Sequence, residues 1–239
     1  MRDTRRYNVG VAIGSGLVGA AGLGWIAGSP ADAGVSYALK AATVFGMLMA
    51  AVVSVAGDRH PHARFGPANY VTTARAVLVA VVAGPIGRGA TSATLWAAIA
   101  IAALAAALDG LDGWLARRSG MASEFGARFD METDAALILL LSILVWQQDK
   151  AGVWVLLCGV MRYGFVAAGW LWPWLAGPLR STLRGKTVAV GQMLGLGVAL
   201  APVVRPPLSD VAAAITLAAL VWSFAIDVIW LSHQPRACP

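Results

Sequence analysis

Charged residues and cysteines are scarce in this chain of 239 residues. Only 13% of the residues are charged and 59% are hydrophobic, and the mean hydropathy is +0.71. No polar stretch is long enough to form a soluble domain, which excludes a water-soluble globular protein. The two cysteines, Cys158 and Cys238, provide neither a disulfide framework nor the spacing of a metal site. The composition therefore predicts one all-α membrane domain, and we expect no nucleic-acid partner.

Long apolar segments separated by short polar ones predict a polytopic bundle of eight membrane-spanning helices. The predicted spans are residues 9–28, 35–56, 69–82, 92–118, 126–147, 151–175, 187–204 and 209–231. The polar segment 58–68 is the clearest internal boundary. It separates two N-terminal helices within residues 1–57 from a six-helix domain over residues 69–239.

Carboxylates crowd into one stretch of otherwise apolar, helix-length sequence. If the fourth and fifth spans form an antiparallel hairpin, Asp109 and Asp134 lie at nearly the same depth, as do Asp112 and Asp130. The spacings i,i+3 and i,i+4 place the two acids of each helix on one face. Asp109 would lie roughly 14 Å below the end of its helix. Four carboxylates gathered there would repel one another, so a positive group must lie between them.

Oxygen ligands of this kind suit Mg²⁺ or Mn²⁺. Two such ions could bind a diphosphate and neutralise the charge that develops when its phosphorus is attacked. Gly113 leaves room for a close approach, and Arg117, one turn nearer to water, can bind a phosphate. Gly126 faces Arg117 at the same depth. Intramembrane carboxylates also occur along ion paths, so a cation or proton transporter is the alternative from another functional class.

The spacing Asp109-x2-Asp112-Gly113-x2-Ala116-Arg117-x8-Gly126-x3-Asp130-x3-Asp134 resembles, without a departure, the signature of the CDP-alcohol phosphotransferase family. The resemblance implies an integral membrane enzyme that moves a substituted phosphate from a CDP-alcohol to an acceptor hydroxyl and releases CMP. It implies that residues 69–239 form the six-helix catalytic domain and that residues 1–57 are additional.

The resemblance also implies roles for individual residues. Two divalent ions would be held by Asp109, Asp112 and Asp130, and Asp134 would complete the site and act as the general base. The residues implied to border the CDP moiety are Asn69, Thr72, Asp109, Gly113, Ala116, Arg117 and Gly126.

The start of the third span allows two interpretations. Asn69-x2-Thr72-x2-Arg75 resembles the element that begins the first core helix of the family and borders its nucleotide site. Asn69 is also an apt N-cap residue for a helix. Both interpretations can hold at once.

The acceptor is left open by the sequence. Arg162, Arg184 and Lys186 could form an anion pocket for a phosphorylated polyol, with positive charge in a cytoplasmic loop as the alternative for Lys186. The expected donor is CDP-diacylglycerol, whose tails remain among the membrane lipids. Glycerol 3-phosphate is the first choice of acceptor and inositol phosphate the second, while inositol, serine and choline remain alternatives.

Basic residues are concentrated on one side of the eight-span topology. The opposite side holds only Arg88, Lys150 and Arg205 among its connecting segments. By the positive-inside rule, both termini and the acidic cluster face the cytoplasm, in the inner (cytoplasmic) membrane. Relatives in the family often form homodimers, so a homodimer is among the expected assemblies.

Overall fold

The computed structural model describes residues 2–28, 31–56, 67–119, 124–176 and 183–233, and the regular structure within these ranges is entirely helical. Two short 3₁₀ helices, Val153–Leu156 and Pro173–Ala176, flank the sixth of eight α-helices. The prediction of an all-α chain with eight helices is confirmed. The α-helices are α1 (Arg2–Ala27), α2 (Ala31–Ala56), α3 (Pro67–Val82), α4 (Ser92–Ser119), α5 (Glu124–Gln147), α6 (Leu157–Leu171), α7 (Leu183–Leu200) and α8 (Leu208–Ser232).

Among the described residues, five helices are long and apolar enough to cross a membrane, which confirms the polytopic membrane bundle. In α3 the apolar stretch, Ala68–Val82, is shorter. The apolar sequence of α5 is interrupted by acids that include Asp130 and Asp134, and α7 begins with Arg184 and Lys186 in its first turn. The three helices outside this group, α3, α5 and α7, each carry candidate functional groups, as do the apolar helices α4 and α6. The five apolar segments are Gly10–Ala27, Gly34–Val53, Ser92–Leu111, Val153–Leu171 and Leu208–Ser232.

Several helix ends differ from the predicted boundaries. The predicted span 151–175 is a continuous α-helix only over α6, because Pro173 cannot continue the hydrogen-bond ladder and the chain passes into a 3₁₀ turn. Helix α3 begins at Pro67, a residue favoured at the first helical position, so Asn69 lies inside the helix and the N-cap interpretation is wrong. Helix α7 begins at Leu183, so Arg184 and Lys186 are helical rather than part of a loop.

The first of two compact units, Met1–Leu137, contains α1 to α4 and the first part of α5. Helices α1 and α2 pack against each other and against α3, and α3 also packs along α4. Apolar side chains from α1, α2, α3 and α5 form one buried cluster. Its members are Ala12, Ala20, Ala41, Phe45, Leu48, Met49, Val52, Ala76, Val77, Ala80, Val81, Phe125 and Phe129.

Lys40 links the N-terminal helix pair to the turn that follows α3. Its ammonium group donates to the carbonyl oxygen of Gly84 at 3.2 Å and to that of Ile86. Carbonyls just beyond a helix end lack partners within the helix, so a lysine is a natural donor to them. The α1–α2 pair therefore contacts both α3 and the turn between α3 and α4.

The second unit, Ile138–Pro239, contains the remainder of α5 and α6 to α8. Helix α7 packs along α8, and Gln192 on α7 donates to the carbonyl of Thr216 on α8 at 2.8 Å. Lys150, in the turn after α5, donates to the carbonyl oxygens of Ala201 (3.2 Å) and Val204. This buried lysine ties the end of α5 to the turn between α7 and α8.

Gly159 allows α6 to approach the backbone of α5 closely. A Cβ atom on Gly159 would lie 2.5 Å from the Cα atom of Leu139.

We expect Gly159→Ala to lower the free energy of unfolding by about 1–3 kcal/mol, because the backbone must move to relieve the overlap. The matched control is Gly164→Ala on the same helix, where a Cβ atom would meet nothing within 4 Å. This control should be neutral or stabilise by up to about 1 kcal/mol. Unfolding in detergent micelles measures both, and equal effects would contradict the close contact.

Candidate active site

Three carboxylates from two helices meet in the first unit. Asp109 lies in the C-terminal part of α4, and Asp130 and Asp134 lie in the N-terminal half of α5. One carboxylate oxygen from each residue lies within 4.8 Å of the others. The i,i+4 spacing of the two residues on α5 places both on one helix face. The structure therefore brings together three of the four acids that the sequence singled out.

The guanidinium group of Arg75, on α3, lies among these carboxylates. Its Nη1 is 3.2 Å from Oδ1 of Asp109 and also contacts Oδ1 of Asp130. Its Nη2 donates to Oδ1 of Asp134 at 2.5 Å. Its Nε donates to the backbone carbonyl of Ala105 on α4 at 3.1 Å. One arginine thus connects α3 to both helices that carry the acids.

Burial differs sharply between the arginine and its acidic partners. The side chain of Arg75 is 1% exposed, whereas those of Asp109 and Asp130 are each 38% exposed. Asp134 is intermediate, with 23% of its side chain exposed. The cation therefore lies at the closed end of the cluster, and the carboxylates line an end that a ligand can reach.

Arg75 is the site residue that sequence reasoning missed. The repulsion among the acids requires a positive group between them, and the sequence predicts metal ions as that group. The sequence also offers Arg75, because an arginine within an apolar helix usually faces an anion or a cavity. Arg75 is the last residue of the Asn69-x2-Thr72-x2-Arg75 element.

Asn69 and Thr72 lie on the same helix as Arg75 and are buried, at 5% and 3% exposure. The hydroxyl of Thr72 donates to the carbonyl of Ala68 at 3.1 Å, one turn back along α3. The neighbouring Thr73 makes the same kind of bond to the carbonyl of Asn69 at 2.8 Å. Such bonds keep hydroxyl groups satisfied inside an apolar bundle.

The remaining signature residues are only partly described. Helix α4 includes Asp112, Gly113, Ala116 and Arg117, but their side chains fall outside the described part of the structure. Gly126 lies in the first turn of α5 and is half-buried. The position of these residues along the helices follows the sequence prediction, and their contacts with a nucleotide remain a prediction.

The three residues predicted to bind the acceptor all belong to the second unit. Arg162 lies half-buried on α6, and Lys186 is exposed on α7. Arg184, also on α7, donates through Nη2 to Oδ1 of Asp227 on α8. The Nε atom of Arg184 is buried and has no hydrogen-bond partner among the described residues. Asp227 is thus a counter-ion that sequence reasoning did not assign to Arg184.

Comparison with known proteins agrees with this arrangement. A family model described as CDP-alcohol phosphatidyltransferase matches residues 65–225, which is more than half of the chain. The chain belongs to this family. It is also 34% identical over 169 residues to the "Probable phosphatidylglycerophosphate synthase" of Mycobacterium tuberculosis, in strains CDC 1551 / Oshkosh and ATCC 25618 / H37Rv. The alignment covers 64% of this chain and 74% of each relative. No solved structure matches the chain significantly.

Membership of the CDP-alcohol phosphatidyltransferase family establishes the class of activity. The chain is a transferase of phospholipid biosynthesis that transfers a phosphatidyl group, and its apolar helices make it an integral membrane protein. The transporter alternative is therefore set aside in favour of the enzyme. Asp109, Asp130 and Asp134 belong to the matched segment, as does Arg75.

The carboxylate cluster could hold a metal ion. Its donors are hard oxygen atoms close enough together to share one cation, as Mg²⁺ and Mn²⁺ sites require. Asp109, Asp130 and Asp134 carry three negative charges when ionised, and Arg75 neutralises only one of them. The remaining negative charge would favour a further cation at the exposed end of the cluster.

Asp109→Asn tests whether the cluster binds a divalent cation. Removing one carboxylate removes a ligand and a negative charge, so we expect Mn²⁺ to bind at least about tenfold more weakly. The control is Glu132→Gln on α5, which lies about 200° around the helix from Asp130 and should leave the affinity unchanged. Calorimetric titration of Mn²⁺ into the protein in detergent measures both. Equal affinity of the two variants would show that the cation binds elsewhere.

Proposed function

We propose that this membrane transferase moves the phosphatidyl group of CDP-diacylglycerol to glycerol 3-phosphate and releases CMP. The observation that carries the proposal is the convergence of Asp109, Asp130 and Asp134 around Arg75 in a chain of this family. The choice of acceptor is supported by the relative described as a probable phosphatidylglycerophosphate synthase. Inositol phosphate, inositol, serine and choline are the alternatives.

The donor would be bound by residues of the matched family signature. We assign the metal ligands to Asp109, Asp112, Asp130 and Asp134. When bound, a pair of Mg²⁺ or Mn²⁺ ions would neutralise the diphosphate and the charge that develops on it. The residues proposed to contact the CDP moiety are Asn69, Thr72, Asp109, Gly113, Ala116, Arg117 and Gly126.

The transfer is proposed as a single displacement with Asp134 as the general base. The acceptor oxygen forms a bond to the phosphatidyl phosphorus, and the bond from that phosphorus to the bridging oxygen breaks. CMP leaves with the bridging oxygen. The proton of the acceptor hydroxyl passes to a carboxylate oxygen of Asp134 and then to solvent. Asp134 is the least exposed acid of the described cluster, a position that limits competition from water for its oxygens.

An anionic acceptor suits the cationic side chains of α6 and α7. Arg162, Arg184 and Lys186 are the residues that we assign to it. The buried Nε atom of Arg184 is a donor without a partner among the described residues, and a phosphate oxygen would satisfy it. Pairing with Asp227 orients the same guanidinium group without using all of its donors. Inositol, serine and choline carry no phosphate group for this donor.

The topology and the assembly remain proposals. We assign the chain to the cytoplasmic membrane with the acidic cluster facing the cytoplasm, where CDP-activated lipids and divalent ions are available. Residues 69–239 would form the catalytic domain, and residues 1–57 the additional helices. A homodimer is the assembly that we propose for the enzyme.

A panel of acceptors tests the assignment of the reaction. Purified protein is incubated with CDP-diacylglycerol, Mg²⁺ or Mn²⁺, and either glycerol 3-phosphate, inositol phosphate, inositol, serine or choline. We expect glycerol 3-phosphate to give CMP and a phosphorylated phosphatidyl lipid at a rate at least about tenfold above the others. A faster reaction with another acceptor would overturn the choice of glycerol 3-phosphate. Absence of CMP release with every acceptor would overturn the proposed function as a whole.

Asp134→Asn tests the general base. The amide cannot accept the proton, so we expect kcat to fall by about 10²–10⁴-fold. At saturating Mn²⁺, binding of CDP-diacylglycerol should change much less, because Asp109, Asp112 and Asp130 would still hold the cation. Glu132→Gln on the same helix is the control and should retain turnover. Normal turnover by the Asp134→Asn enzyme would contradict the assignment.

A further inference from the structure

The proposed reaction assigns no role to Arg75. Its guanidinium group contacts each of the three carboxylates that could hold a cation. It is 1% exposed and is anchored to α4 by the bond from Nε to the carbonyl of Ala105. It is therefore a built-in cation in contact with the oxygens of the candidate metal site.

The arginine and the acids stabilise one another when no metal is bound. Three carboxylates within 4.8 Å would otherwise repel, and their side chains would separate toward water. A buried guanidinium group without counter-ions would be equally unfavourable. The planar fork of Arg75 offers donors in several directions, so a single residue can contact acids on both α4 and α5. A lysine ammonium group at this position lacks that fork.

The same contact opposes the binding of a metal ion. A carboxylate can accept several hydrogen bonds, so it can contact an arginine and a metal ion together. The two positive charges would nevertheless lie only a few ångströms apart, where their repulsion is strong in a partly buried site. Arg75 therefore has two opposing effects on the cation, since it gathers the ligands and repels the ion.

We propose that Arg75 is a positioning residue that assembles Asp109, Asp130 and Asp134 before the metal binds and weakens their affinity for it. The proposal rests on the metal-dependent function proposed above. A moderate affinity suits a site whose cation must also bind and release a diphosphate and CMP in every cycle. The role belongs to α3, the helix on which the N-terminal helix pair packs.

Two substitutions of Arg75 separate the opposing effects. Arg75→Gln removes the charge together with the fork, and because the lost repulsion outweighs the lost assembly we expect Mn²⁺ to bind about fivefold to tenfold more tightly. Arg75→Lys keeps the charge but loses the fork, so the ligands are less well assembled and we expect Mn²⁺ to bind about threefold more weakly. A purely structural role would move both affinities in the same direction or leave both unchanged. Calorimetric titration of Mn²⁺ into each full-length protein gives the dissociation constants.

The matched control is Arg128→Gln, which removes the same charge from an exposed position on α5. The charge of Arg128 is screened by solvent, so the dissociation constant of the Arg128→Gln protein for Mn²⁺ should stay within about twofold of the wild-type value. A gain in Mn²⁺ affinity in this control as large as that in Arg75→Gln would overturn the proposal. If Arg75→Gln does not fold, Arg75→Lys alone decides, because unchanged or tighter binding would also overturn it.

The wild-type protein distinguishes this proposal from the proposed function. If it neither binds Mn²⁺ nor releases CMP from CDP-diacylglycerol, both proposals fail. If it binds Mn²⁺ and releases CMP while the two Arg75 variants do not shift in opposite directions, only the role of Arg75 fails. Opposite shifts of the two dissociation constants support the proposal.

Discussion

The ion network between Arg75 and the three aspartates is the interaction on which the rest of the structure depends. Like charges placed side by side among apolar helices are unfavourable unless an opposite charge lies between them. The guanidinium group meets this requirement with donors to both acidic helices and to a backbone carbonyl. With all three aspartates ionised, Arg75 leaves a net negative charge on the cluster, and this charge would attract a metal ion. The same four side chains therefore contribute both to the packing of the helices and to the candidate active site.

The acids of this network could be predicted from the sequence, but the contacts between Arg75 and these acids could not. Helical periodicity fixes which residues share a face, and the short connection between α4 and α5 makes it reasonable to pair Asp109 with Asp134. Arg75 precedes its partner Ala105 by 30 residues and Asp134 by 59. Periodicity within α3 gives no information about which neighbouring helices its faces contact, so the sequence offers Arg75 as a candidate cation without indicating that it reaches these acids.

The ends of the helices show a second limit of sequence reasoning. The length of an apolar segment predicts the position of a membrane span well. A helix can nevertheless extend into a neighbouring polar segment where the charged side chains of that segment form ion pairs. Arg184 illustrates this effect, because its ion pair with Asp227 on α8 allows α7 to begin ahead of the predicted apolar span. The same contact makes Arg184 an oriented, partly buried donor.

The two N-terminal helices pack against α3, the helix that carries Arg75. They precede the segment that matches the family, which begins at residue 65. Their side chains, Phe45 and Val52 among them, are buried in the cluster that includes Ala76 and Ala80 of α3. Lys40 holds the turn after α3 through two backbone carbonyls. A shift of about 1 Å in a positioning group can cost about 10²-fold in rate. The α1–α2 pair packs against α3, the helix that carries the buried cation of the site. This packing supports α3 and so helps to fix the position of Arg75.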